Sequence, residues 1–250
     1  MAHGLRIATA GWAIPRAVAE AFPAEGSGLA RYAARFSAVE INSTFYRSHR
    51  AGTYARWVEQ TPEDFRFAVK LPRTITHAAR LVGAEGLIAA FAAEAGALGE
   101  KLGPLLVQLP PSLSFEADVA ARFFEGLRGL WPGPAIVCEP RHASWFTAEA
   151  DGLLAKAQVG RVAADPALSP EAARPGGWEG LAYWRLHGAP QMYRSPYDEA
   201  QLAALAEALS ARAAAGVEAW CVFDNTTSGA AAANALRLAA LLSERHTHVI

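Results

Sequence analysis

Short apolar runs alternate with longer Ala-rich stretches along the whole chain. The runs at Arg6–Ala10, Ala38–Thr44, Arg66–Leu71, Pro104–Leu109, Ala135–Glu139, Gly160–Ala164, Leu181–His187 and Ala219–Asn225 are short and apolar, and they read as strands. Between them, stretches such as Leu29–Phe36, Leu87–Lys101, Asp118–Leu130, Glu149–Ala157, Glu199–Ala215 and Ala230–Leu242 favour helix. Strands alternating with helices predict a parallel sheet. Eight strands are the number that closes a (β/α)8 barrel. The expected fold is therefore α/β, a single TIM-like barrel domain over residues 1–250, with an open doubly wound sheet as the competing arrangement. One interval interrupts the alternation. Pro166–Gly180 holds three prolines and three glycines, which predicts a loop or a short helix between strands six and seven.

Side chains alternate between the two faces of a strand. In such a barrel one face meets the helices and the other fills the interior, usually with Val, Ile or Leu. This chain departs from that usage. With Val39 and Ile41 on the helix face, Glu40, Asn42 and Thr44 point inward. The same parity turns Lys70 and Gln108 inward, puts Glu139 and Arg141 on one face, and groups Tyr183, Arg185 and His187 on another. Asp165 and Asp224 end the sixth and eighth strands. Nearly all of these residues fall late in their strands, at the face where barrel active sites are built. Acids facing Lys70, Arg141 and Arg185 in a desolvated pocket shift one another's pKa values. A buried ion-pair network without chemistry would look the same in sequence. Glu40, Lys70, Glu139 and His187 are the candidate catalytic groups, with Gln108 and Tyr183 placed to orient them.

The eighth strand runs into Asn225-Thr226-Thr227-Ser228-Gly229 ahead of a long Ala-rich helix. Free backbone N–H groups at a positive helix end suit an anion. Thr227 or Ser228 can equally be a plain N-cap. Arg185 and His187 on the adjacent strand favour a phosphate, sulfate or carboxylate there, with Asn225, Thr226, Ser228 and Gly229 as contacts. The segment Gly188–Tyr197 carries two tyrosines and an arginine over the same rim, as a lid or as a surface loop. Trp12, Phe45, Tyr46 and Trp145 also follow strand ends, where aromatics either stack on a ligand or pack locally; packing is preferred for Trp145.

With 250 residues, 52% hydrophobic and 19% charged, the chain can bury a sizeable core. A net charge of −1 provides no global field for nucleic acid. Cys138 and Cys221 sit inside apolar runs and form neither a disulfide framework nor a zinc motif. The N-terminus lacks an apolar signal core and no run is long enough to span a membrane, so a cytoplasmic protein is expected. P-loop, GxGxxG, HExxH and GxSxG patterns are absent, and no organic cofactor is implied. A divalent metal on His77, His142 or His187 with the acids is not favoured, because Arg141 and Arg185 oppose a dication.

Several stretches resemble the YecE-like proteins, the domain of unknown function 72 family. They are Val39–Arg47, Thr61–Lys70, Leu102-Gly103-Pro104 with Gln108–Pro111, Glu139–Trp145, Arg185–Gly188, and Asp224-Asn225-Thr226 through Gly229 to Asn234-Ala235. The resemblance covers nearly the whole chain. It implies a TIM-like barrel and supplies no activity. The family carries an aromatic soon after the first Gly-Trp, where this chain has Ala13-Ile14, which weakens a role for that loop in closing the pocket. It usually carries Phe at Pro140 and Asn at Asp224; the latter puts an extra carboxylate at the rim, and the resemblance does not extend to Asp224 as a site residue.

The leading expectation is an enzyme acting on an anionic, phosphate-containing substrate. Arg185, His187, Lys70 and the Thr226–Gly229 turn would hold the anion, and Glu40 or Glu139 would act as acid or base. Lys70 could instead be an acid or a Schiff-base nucleophile. A metal-dependent nucleic-acid phosphodiesterase, suggested by Arg47, His49, Arg50, Arg73 and Arg141, is one alternative. A metabolite sensor without catalysis is another, and a structural or partner-binding barrel a third.

Overall fold

The computed structural model describes residues 4–247. Its strands are β1 (Leu5–Thr9), β2 (Ala38–Ile41), β3 (Arg66–Lys70), β4 (Leu102–Gln108), β5 (Ile136–Glu139), β6 (Val159–Arg161), β7 (Ala163–Asp165), β8 (Gly176–Gly177), β9 (Leu181–Leu186) and β10 (Glu218–Phe223). The helices are α1 (Gly28–Ala33), α2 (Ala51–Glu59), α3 (Glu85–Ala95), α4 (Ala117–Leu130), α5 (Ala148–Lys156), α6 (Glu199–Ala214) and α7 (Ala230–Thr247). No described helix is long and apolar enough to cross a membrane.

The strands form two sheets, in the orders β1-β10-β9-β7 and β2-β3-β4-β5-β6-β8. All pairings are parallel except that of β8 with β6. The sheets approach each other at two places. An isolated parallel bridge joins Ala10 to Glu40, and the Gly11 N–H donates to the Glu40 carbonyl at 2.8 Å. On the other side the chain passes from β6 to β7 through Val162, leaving β5 as partner and taking up β9. The single closed ladder expected from eight strands is thus two sheets among the described residues. The expected sixth strand, Gly160–Ala164, is two short strands because its halves pair in different sheets.

Burial follows strand parity. Val39, Ile41, Val69, Leu105, Val107, Ile136, Cys138, Trp184 and Cys221 belong to the large core shared with the helices. The opposite faces form a second, smaller core of Ala8, Ala38, Ala68, Leu106, Val137, Tyr183, Trp220 and Val222. Three alanines leave room there for two large rings, and Tyr183 stacks on Trp220 at 6.0 Å. Gly103 is needed beside them, because a Cβ would lie 2.9 Å from the Trp220 ring. This apolar floor supports the polar layer above it.

Three elements differ from the sequence expectation. The helix expected over Leu87–Lys101 stops at Ala95 and continues as a tighter turn, with Gly99 at φ 55° and ψ −132°. α2 forms where the alternation calls for a helix but the sequence marks out no particular stretch, and it buries Tyr54. The breaker-rich interval contains β8, laid antiparallel on β6. Arg161, on β6, explains that strap. Its Nε and Nη2 donate to Asp151 at 2.6 and 3.2 Å, and its Nη1 donates to the carbonyls of Glu171 and Arg174 at 2.9 and 3.3 Å. A Cβ on Gly176 would run into this guanidinium, which is why glycine stands there. With no full helix in the interval, a cavity of about 280 Å³ opens between the outer face of β7 and β9 and α6, lined by Ala163, Asp165, Trp184, Leu186, Leu205 and Ala208.

Replacing Arg161 removes the anchor of the strap. Arg161→Leu is expected to lower stability by about 1–3 kcal/mol in urea unfolding and to raise hydrogen exchange selectively over residues 166–180.

Candidate functional site

Inward positions late in several strands, or directly after them, place polar residues at and just above the apolar floor. β2 supplies Glu40, β3 Lys70, β5 Glu139, and β9 Tyr183 and Arg185; His187 and Asp224 follow directly after β9 and β10. All seven are buried. Arg185 is the hub. Its Nε and Nη2 grip Glu40 at 2.9 and 2.7 Å, its Nη1 donates to Glu139 at 2.8 Å, and Nη2 also donates to Asp224 at 3.0 Å. Four of its five N–H groups are used on these three acids. Tyr183 donates its hydroxyl to the same Glu40 at 3.0 Å.

His187 forms the second tier. Nδ1 lies 3.0 Å from Asp224 and Nε2 lies 2.9 Å from Glu139. The Arg141 Nη2 sits 2.5 Å from the same Glu139 oxygen and 2.7 Å from His187 Nε2. Arg141 donates in this triangle, so the position of one ring proton decides whether Nε2 accepts from Arg141 or donates to Glu139. Tyr193 stands edge-on over the His187 ring at 5.6 Å, with φ 66°.

The electrostatics follow from this packing. Burial pushes the Glu139 carboxyl up, but Arg185, Arg141 and His187 outweigh it and hold the group well below its ordinary range. Asp224 is lowered in the same way, burial being outweighed by Arg185, His187 and Lys70. Lys70 is the exception. Its amine lies 4.1 Å from the centre of the Phe45 ring. Among the described residues no carboxylate comes within 4 Å of it, although Glu40, Glu139 and Asp224 all lie within electrostatic reach. Burial, then the charge of Arg185, lower its pKa to about 8 against the pull of those acids. His77, edge-on to Phe45 at 4.9 Å, is lowered by burial and by Lys70 and Arg73.

The structure brings Glu40, Lys70, Glu139, Arg141, Tyr183, Arg185 and His187 together, and Asp224 with them. It changes the expectation for the rest. Arg185 does not face an external anion, because its donors are spent on Glu40, Glu139 and Asp224. Two N–H groups of the turn after β10 are already taken. Gly229 N–H donates to the Thr226 carbonyl and Thr227 N–H to the Tyr193 carbonyl, both at 3.0 Å, while Thr226 itself is exposed. The Ser228 hydroxyl donates to the Arg194 carbonyl at 2.5 Å, and Asn225 Nδ2 donates to the Ser195 carbonyl and to Asn234. These residues clamp the Gly188–Tyr197 segment. Asp165 pairs in step with Leu186, on the outer face, and accepts from the Tyr197 hydroxyl at 2.6 Å; parity turns it away from the site. Tyr46 is 71% exposed and packs on Phe45 at the rim. Gln108 sits beside Glu139 in the register. Asn42 starts the short turn after β2, and its Oδ1 and the Arg141 Nε are buried without a partner. Trp145 is buried packing, its ring N–H donating to Leu113. Phe45, one of the aromatics expected either to stack on a ligand or to pack locally, lies under the Lys70 amine. Tyr193, in the segment expected as a lid or a surface loop, lies edge-on to His187, and its positive φ leaves no mark in sequence.

Among the described residues no group of His, Cys, Asp and Glu has the arrangement of a metal site. The guanidinium of Arg185 occupies the point where Glu40, Glu139 and Asp224 converge.

A family model described as "Protein of unknown function DUF72" matches residues 6–249. The UPF0759 protein YecE of Escherichia coli K12 is 38% identical over 121 residues, which cover 48% of this chain and 43% of that protein; the chain thus matches less than half the length of this curated relative. A DUF72 family protein of Thermotoga maritima superposes with TM-score 0.78 at 25% identity, covering 96% of this chain and 100% of the other. D-psicose 3-epimerase of Clostridium cellulolyticum H10 superposes with TM-score 0.54 at 10% identity over 97% and 98% of the two chains, which is a likeness of fold, TIM-barrel-like, alone.

Three outcomes follow from the charges. Arg185→Met strands Glu40 and Glu139 in the interior and is expected to cost about 3–5 kcal/mol in urea unfolding at neutral pH. The folded-state pKa values of Glu139 and Asp224 lie below their unfolded values. Their contribution is therefore complete above about pH 4 and is lost as the pH falls through the folded values. Lys70 has the opposite sense. Its folded value near 8 lies below an unfolded value of about 10.4, so the unfolded chain binds the extra proton and stability rises with pH between them. Lys70→Met is expected to be more stable than the wild type by about 1–3 kcal/mol at pH 7, with the difference shrinking above pH 8 in a pH series of unfolding curves.

Proposed function

The chain belongs to the DUF72 family, whose description carries no activity, and we propose that it is an enzyme that takes a small anionic substrate at the C-terminal ends of its strands, with Lys70 as the group that meets it. One observation carries this reading: every other charged side chain of the buried cluster has an opposite charge in direct contact, and the Lys70 amine has none. A buried cation without a partner is costly, and a ligand carboxylate or phosphate offsets that cost. The Arg185 network then serves as the rigid wall behind the amine. Asn42, which follows β2 beside the end of β3 at Lys70, has a buried Oδ1 without a partner, which suits a donor group of a polar ligand. Arg47, Arg50 and Arg73 are exposed after β2 and β3, and they give an incoming anion a positive approach. In the same reading the two sheets act as one eight-stranded ring, with β6 and β7 as a single strand broken at Val162.

Thermal-shift measurements at matched ionic strength test it. Phosphate, citrate and 2-oxoglutarate against chloride are expected to include an anion that raises the wild-type Tm by about 2–8 °C at saturation. Lys70→Met is expected to abolish that shift. An equal shift in the variant, or none in the wild type, overturns the reading.

A further inference from the structure

We infer that Lys70 is a covalent group, whose amine forms an imine with the carbonyl carbon of an anionic aldehyde or ketone. The inference rests on the reading of the strand ends as a substrate site and names the chemistry of that site.

The chain's use of cations is the first support. It has 20 arginines and three lysines, Lys70, Lys101 and Lys156. Lys101 is tied to the carbonyls of Val58 and Thr61 at 2.7 Å, and Lys156 is exposed on α5. The two other cations of the site are Arg185 and Arg141. A guanidinium stays charged and pairs well with carboxylates, whereas an amine can give up its proton and act as a nucleophile. The only amine of the site stands where pairing is absent.

The geometry around Lys70 keeps that amine uncommitted. Glu40, Glu139 and Asp224 are all close enough to act on its charge, yet each is bonded to Arg185. Beneath the amine lies the face of Phe45, which accepts no proton. Its backbone is fixed separately, the Lys70 carbonyl accepting from the Thr44 hydroxyl at 2.6 Å. A desolvated lysine next to another cation is the standard setting for an amine that reacts near neutral pH, and Lys70 is lowered to about 8 by burial and Arg185.

The step balances within the two partners. The Nζ lone pair forms the C–N bond and the carbonyl π pair moves to oxygen. That oxygen takes both amine protons and leaves as water, and the product is the imine. One further proton from solution makes it the iminium, which withdraws electrons from an adjacent bond.

Reductive trapping of the wild-type protein tests this. Glyoxylate, pyruvate, 2-oxoglutarate and dihydroxyacetone phosphate are each incubated at pH 8 with cyanoborohydride, and the adduct is mapped by peptide mass spectrometry. Glycolate, lactate, 2-hydroxyglutarate and glycerol 3-phosphate serve as carbonyl-free counterparts in parallel thermal shifts. With its pKa near 8, the neutral fraction of Lys70 at that pH exceeds that of an ordinary lysine on the order of a hundredfold. An adduct at Lys70 in at least about tenfold excess over Lys101 and Lys156, from one carbonyl compound, is the expected result. Equal labelling of the three lysines overturns the inference. Stabilisation by both members of a pair without an adduct also overturns it, while leaving the anionic-substrate site standing. No adduct and no stabilisation across the panel removes both.

Discussion

The guanidinium of Arg185 holds the polar half of this protein together. It lies where an interior of Val, Ile and Leu would ordinarily close the layer. Glu40 from β2, Glu139 from β5 and Asp224 after β10 reach it from three directions. No one of these acids is tolerable alone in a buried layer, because desolvation of a single charge costs several kcal/mol. Together they turn the layer into one cooperative unit. The fork geometry of Arg matters, since a lysine would offer a point charge to at most three acceptors without fixing their orientation. The apolar floor of small alanines and stacked Tyr183 and Trp220 rings holds the unit at its height along the strands.

The network satisfies its acids so fully that it leaves Lys70 outside the pairing. That is an arrangement at odds with stability, and such exceptions mark functional sites more often than structural ones. The local surroundings agree: a Phe45 face below the amine, His77 beyond it, and a buried unpartnered oxygen on Asn42. The polar layer therefore has two parts, a closed one whose charges are paired around Arg185 and a second one where the Lys70 amine is not paired.

The rim on the β9–β10 side is built differently. Asn234 Oδ1 accepts from the backbone of Tyr197 at 3.1 Å and from Asn225 at 2.9 Å, and its Nδ2 returns a bond to the Tyr197 carbonyl at 3.0 Å. Tyr197 in turn bonds Asp165 and the Gly188 N–H. The small polar residues after β10 fix a loop that lays Tyr193 over His187. A run of hydroxyl residues and glycine ahead of a helix serves an anion or a neighbouring backbone equally well, and here the backbone carbonyls of Tyr193 and Arg194 take it.

The sequence by itself determined what period-2 alternation controls: the strands, their inward and outward faces, and the polar layer of Glu40, Lys70, Glu139, Tyr183 and Arg185. Alternation is local, so a single chain displays it. The tertiary structure decided what depends on partners. That β6 and β7 join different sheets at Val162 is a matter of pairing, not composition. So is the outward turn of Asp165, which sits one step out of parity with the inner layer. Which charges neutralise one another was also beyond the sequence, because a list of acids and bases does not say that Arg185 takes three carboxylates and Lys70 none. Distances of a few ångströms decide Coulomb energies, and only packing sets those distances.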